Sequence, residues 1–223
     1  MQTSNQPSIS LQLPAGAAAI HTPFRYSQTE GFSDLTDAAA KWLSLLAHPT
    51  SNDKLIWPLP HLDAQSLQAV HDMLEHLDKV HPNPLQEGFE GQPLIAGAVY
   101  RCSQLGGPSD AAMIKLHFQP GAVDLPIHIH PLSARVLIVL QGKGTFYFSH
   151  ANFESFSGTP VYTQEIGPGS VVVFQNNYLH TFGAAQSSLT MLSFHFPFVE
   201  LNDEHQWSLP SQKILPRNIP AQL

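Results

Sequence analysis

Residues 128–142 read HIHPLSARVLIVLQG: two histidines one residue apart, then a strand-like run that ends on a glycine. In an extended chain successive side chains point to opposite faces, so His128 and His130 can project to the same side. Two neutral imidazoles placed in this way can bind one cation. The pair alone decides little, because a chain with 13 histidines produces such spacings by chance, and two half-exposed histidines beside a loop fit it equally well. In the run that follows, Arg135, Leu137, Val139 and Gln141 alternate with Val136, Ile138 and Leu140. Apart from Arg135 and Gln141 both faces are apolar, so the strand needs a cover on each. One cover is the interior of the fold. The other is either the N-terminal helices or a second subunit, and a homodimer is expected because closed dimers are the commonest assembly and residues 194–198 are apolar as well.

Working outward, a period of two holds from about residue 95 onward. Strands are predicted at roughly 96–102, 111–119, 134–141, 144–149, 160–165, 170–175, 178–183 and 188–197. Turn signals separate them at 106–108 (GGP), 120–121 (PG), 142–144 (GKG) and 167–169 (GPG). Short strands with such connections imply an antiparallel barrel or sandwich, not a parallel sheet with crossover helices. There is no internal repeat, so one such unit is expected.

Upstream the period is 3.6. From Ser33 as N-cap, apolar residues recur at Leu35, Ala38, Ala39, Trp42 and Leu46 until His48-Pro49 stops the pattern. A second amphipathic helix starts at Asp63, carries Leu67, Val70, Leu74 and Leu77 on one stripe, and ends near Val80. Residues 1–32 are rich in Ser, Gln, Thr and Pro, and no element is predicted there. The expected organisation is an arm and two-helix extension over 1–94, a β domain over 95–200 and a tail over 201–223.

Composition excludes several classes. The formal charge is −7, and Lys and Arg form no stripe that could track phosphates, so nucleic acid is not an expected partner. The prolines between the two helices and the acidic second helix argue against a helix-turn-helix reader. Cys102 is the single cysteine, which rules out an intrachain disulfide or a multi-cysteine zinc site and fits an inert buried thiol. No stretch approaches the roughly 20 apolar residues of a membrane span, and the first twenty residues lack a signal-peptide core. A cytoplasmic protein with no membrane partner is expected.

Taken together, Gly121, His128, His130 and Gly142, and then Pro168-Gly169 leading through an apolar strand to His180, resemble the two motifs of the cupin superfamily. The resemblance covers about residues 95–198. It implies a mainly β, cupin-type antiparallel β-barrel (a double-stranded β-helix or jelly roll), here with an N-terminal α-helical extension. It also implies that His128, His130 and His180 ligate one divalent metal ion, Fe(II) in the working protein, with Ni, Zn or Mn as other occupants.

One position departs from the pattern. Five residues after the second histidine, where the family carries a metal-binding carboxylate, stands Arg135. Arg has no lone pair to offer, and about 5 Å from a dipositive ion at an effective dielectric of about 20 it would cost roughly 6 to 7 kcal/mol. Three arrangements would relieve this: the side chain turns away, a neighbouring carboxylate pairs with it, or it anchors an anionic ligand whose other end touches the metal. His117 and His195 read as satisfied core or rim histidines, with Gln141 and Tyr178 as possible donors to the ligands. The expected function is a mononuclear non-haem Fe(II) dioxygenase acting on a small anionic substrate, with Arg135 as substrate anchor. The alternatives are a small-molecule-binding or sensor protein, or an isomerase or epimerase. No nucleophile elbow, phosphate loop or dinucleotide fingerprint competes.

Overall fold

Antiparallel pairing organises the chain. The computed structural model describes residues 8–13, 19–24, 30–47 and 53–219. In chain order these form β1 (Ser8–Gln12), β2 (Ile20–Pro23), α1 (Glu30–Ser44), β3 (His61–Leu62), α2 (Ala64–Val80), β4 (Gln86–Glu87), β5 (Ile95–Arg101), β6 (Ala112–Phe118), β7 (Ala134–Gly142), β8 (Gly144–Ser149), β9 (Tyr162–Ile166), β10 (Val171–Phe174), β11 (Leu179–Gly183) and β12 (Leu189–Phe196). A six-stranded sheet runs β10-β7-β12-β6-β5-β4, and a three-stranded sheet runs β11-β8-β9. An isolated bridge between His128 and His180 adds the H-x-H segment beside β11.

The two sheets face each other, as the side-chain periodicity of their strands requires. Leu137, Val139, Val172, Phe174 and Met191 of the larger sheet share one buried cluster with Phe146, Phe148 and Phe182 of the smaller. This is the expected jelly roll, built as two facing sheets rather than one continuously hydrogen-bonded ring. Gly142 turns β7 into β8 at φ 82, and a Cβ there would lie 1.9 Å from the Ser188 carbonyl oxygen, so no other residue fits.

The opposite face of the larger sheet carries the helices. Val136, Ile138 and Leu140 of β7 share a second cluster with Phe32, Leu35, Ala38, Ala39 and Trp42 of α1 and with Val70 and Leu74 of α2. The second cover of β7 is therefore supplied by the same chain. Residues 194–198 are also engaged internally: Phe194 is in that cluster, Phe196 packs on it, and the Arg101 guanidinium lies 5.1 Å from the Phe198 ring. Neither observation that suggested a homodimer calls for a partner chain.

α2 begins as expected, with the Asp63 carboxylate accepting from the Ser66 amide at 2.7 Å. α1 begins three residues ahead of Ser33, at Glu30, while the predicted His48-Pro49 stop lies outside the described residues. The expectation of no element before residue 32 is corrected: β1 pairs with β2 and with β3 in a small outer sheet. Ile9 and Leu11 give β1 its buried face, and the Ser10 amide donates to Ser66 Oγ on α2 at 2.7 Å. Two apolar residues in a five-residue strand were too few to show against Ser- and Gln-rich surroundings.

The helices are thus part of the core. Trp42 is fully buried, so Trp42→Ala should destabilise the protein by about 3 to 5 kcal/mol in denaturant titration. A loss below about 1 kcal/mol would show that α1 is a detachable appendage.

Candidate metal centre

His128 and His180 face each other across the strand pair, each donating its backbone N–H to the other's carbonyl at 3.0 Å. Directly opposed residues put their side chains on one face, and the H-x-H spacing adds His130 to the same face. All three point into the interior and are at most 7% exposed. Their ligand atoms lie within 4.8 Å of one another, and among the described residues these three form a group able to hold a metal ion.

Backbone carbonyls orient the rings. His128 Nδ1 bonds to Pro126 O at 2.8 Å, His130 Nδ1 to Gln206 O at 2.6 Å and His180 Nδ1 to Tyr178 O at 2.8 Å. A carbonyl oxygen only accepts, so each Nδ1 carries the hydrogen and donates. Each Nε2 of the neutral ring is then a bare lone pair, and the Nε2 atoms of His128 and His130 are 3.3 Å apart. Burial holds all three imidazoles neutral, His128 down to about 4 and His130 and His180 well below the ordinary histidine range. Lone pairs this close in a buried cluster repel one another, and a divalent cation would satisfy them. By this donor chemistry, the residues present fit a metal ion.

Arg135 also lies inside, on the inward parity of β7 with Leu137 and Val139, and is 2% exposed. Its Nη1 donates to Ser133 Oγ and, at 3.3 Å, to Ala134 O, while Nη2 is buried without a partner. Burial lowers its pKa to about 9 against the attraction of Glu90, so it stays cationic at neutral pH. Glu90 sits in a short 3-10 turn, Phe89–Gly91, before β5 at φ 52, and accepts from Gln206 Nε2 at 2.8 Å. Burial raises its carboxyl above the usual range, with Arg135 pulling the other way. His195, paired in register with Arg135 on β12, is buried and its Nδ1 has no partner.

These groups share a cavity of about 50 Å³ with the three histidines, walled by apolar side chains including Ile114, Phe118, Phe174 and Phe182. Of the residues picked out in sequence, His128, His130, His180 and Arg135 all line it. Three other readings change. His195 lines the cavity with an unsatisfied nitrogen, unlike His117, which bonds to Thr190 Oγ1 at 3.0 Å. Gln141 is exposed and orients nothing in the site. Tyr178 orients His180 through its backbone carbonyl while its hydroxyl pairs with His150 Nδ1 at 3.3 Å.

Glu90 and Gln206 were missed altogether, since each is distant in sequence from both motifs. The C-terminal segment carrying Gln206 is bonded to the H-x-H segment through Ser208 and Ile129, and Trp207 sets its ring edge-on to His128 at 5.2 Å between centroids. Among the described residues no helix is long and apolar enough to cross a membrane.

Residues 108–217 match a family model described as Cupin. No curated protein matches this chain. Among solved structures, an oxalate oxidase is 20% identical with a TM-score of 0.40, the match covering 50% of this chain and 56% of that one. A Lactobacillus farciminis oxalate decarboxylase in a formate complex is 16% identical with a TM-score of 0.42, covering 54% of this chain and 33% of that one. An oxalate decarboxylase variant from Bacillus subtilis is 14% identical with a TM-score of 0.42, covering 56% and 29%. The match spans little more than half the length of the first of these structures and about a third or less of the other two.

Two measurements follow from the histidine geometry. His128→Ala or His180→Ala should remove most bound metal as read by elemental analysis, whereas the exposed His81→Ala should not; stoichiometric metal in the His128/His180 double variant would exclude the site. The second is a pH dependence. His128 titrates near 4 in the folded chain and near 6.5 when unfolded, so between those values the unfolded state binds more protons and metal-free stability falls as pH falls. His128 alone contributes about 3 kcal/mol over that window. Bound metal holds the imidazoles neutral and should push the loss to lower pH. Metal-free stability that stays flat from neutral pH to 4.5 would contradict the assignment of buried neutral rings.

Proposed function

The chain belongs to the cupin superfamily through its residues 108–217, and from that premise we propose that His128, His130 and His180 bind one divalent metal ion and that the protein is a mononuclear non-haem Fe(II) dioxygenase acting on a small anionic substrate. The observation that carries this reading is the set of three buried imidazoles, each pinned through Nδ1 to a backbone carbonyl, with ligand atoms within 4.8 Å of one another. His128, His130 and His180 would hold the iron through neutral nitrogens, and the metal would supply redox chemistry there.

The remaining work falls to the chain's own side chains. No protein carboxylate among the clustered ligands offsets the metal's charge, and Arg135 adds a further positive charge to the same cavity. Such a site favours an anionic ligand. The unpartnered Nη2 of Arg135 is the donor for its carboxylate, since a guanidinium matches that group in shape and charge. The apolar walls exclude bulk water, which strengthens this attraction. The cavity, about 50 Å³, has room for a ligand of only a few non-hydrogen atoms. A reducing, cytoplasmic setting is part of the proposal and rests on the lone Cys102, a buried thiol whose pKa is raised to about 11.

Oxygen consumption by the iron-loaded protein across a panel of short carboxylic acids tests the reaction. Uptake with a subset of them is expected, and tight binding without uptake would favour a non-catalytic binding protein. Arg135→Gln should weaken the anion by about 1.5 to 3 kcal/mol, roughly 10- to 150-fold, with metal content unchanged or higher. Arg135→Glu should bind metal more tightly and the anion worse still. Unchanged anion affinity with a lowered melting temperature in both variants would make Arg135 a structural residue only.

A further inference from the structure

Glu90 and Arg135 line one cavity with opposite charges, and no direct ion pair joins them among the described residues. Each is already held on one side. Arg135 spends Nη1 on Ser133 and Ala134, and Glu90 spends Oε1 on Gln206, which leaves the guanidinium Nη2 buried and unpartnered. A cation and an anion that line one small cavity without a direct ion pair form a receptor with polarity: an acceptor group is wanted at the arginine and a donor group at the carboxylate. A second negative charge is penalised at the glutamate, because like charges in a water-poor cavity repel strongly.

We propose that Glu90 is a specificity-determining residue and that, with Arg135, it selects a short monocarboxylate carrying a hydrogen-bond donor, either hydroxyl or ammonium, and rejects dicarboxylates of the same size. The ligand's carboxylate meets Arg135, and its donor reaches toward Glu90. Gln206 holds Glu90 in place through its side chain while its carbonyl orients His130, so the reader of the donor and one proposed metal ligand share a single support. This rests on Arg135 being the anion anchor proposed above.

Two probes of nearly equal size separate charge from shape: glycolate, a monoanion with a hydroxyl, and oxalate, a dianion without a donor at neutral pH. Calorimetric affinities for both are measured on the metal-loaded wild type and on Glu90→Gln, so that metal chelation, common to the two proteins, cancels in the comparison. In Glu90→Gln the preference for glycolate over oxalate should fall by about fivefold or more, from weaker glycolate and tighter oxalate binding. Glu90→Asp, which keeps the charge, should retain the wild-type direction of preference. A smaller change of ratio in Glu90→Gln, loss of bound metal in that variant, or no glycolate binding by the wild type would overturn the proposal. Arg135→Gln serves as the separate check. If it weakens neither probe, the anchor itself fails; if it weakens both while Glu90→Gln leaves the ratio unchanged, only the role of Glu90 fails.

Discussion

Three imidazoles that cannot turn are the constraint around which the interior is arranged. Each Nδ1 is committed to a backbone carbonyl, so each Nε2 is a bare lone pair in a buried cluster whose ligand atoms lie within 4.8 Å of one another. Rotating any ring to relieve this would orphan a buried carbonyl, at about 1 to 3 kcal/mol. A cation held by the three rings, as proposed, would relieve the repulsion between these lone pairs.

The carbonyls come from three separate parts of the chain, which is why the site needs the whole fold. Pro126 precedes the H-x-H segment, Tyr178 precedes β11, and Gln206 arrives from beyond β12 on a segment paired to Ile129. On the opposite wall, β7 and β12 place Arg135 and His195 side by side, with α1 and α2 clamping the back of the same sheet. Positive charge at Arg135 is answered only at a distance by Glu90. The cavity therefore joins the three-histidine cluster to a buried arginine, the two features on which the proposed metal and anion sites rest.

Much of this was legible in the sequence because strand parity is a strict code. The alternation through β7 put Arg135 on one face with Leu137 and Val139, and the H-x-H spacing put two imidazoles on one side. The eight strands β5–β12 follow from period-two runs between glycine and proline turns. What stayed hidden depends on tertiary contact. β1 carries only Ile9 and Leu11 as an apolar signal. Glu90 and Gln206 belong to short segments with no strand or long-helix periodicity, and nothing local tells which carboxylate reaches the cavity of a buried arginine. The rings donate to backbone carbonyl acceptors, so the side chains suggested as their partners, Gln141 and Tyr178, pointed to the wrong atoms.

Anomalous scattering from a crystal of the protein loaded with one equivalent of a divalent metal tests the central claim most directly. The account predicts a single peak about 2.0 to 2.2 Å from the Nε2 atoms of His128, His130 and His180, with no protein carboxylate bound to it. No peak at that point, or a peak ligated by Glu90, would contradict it.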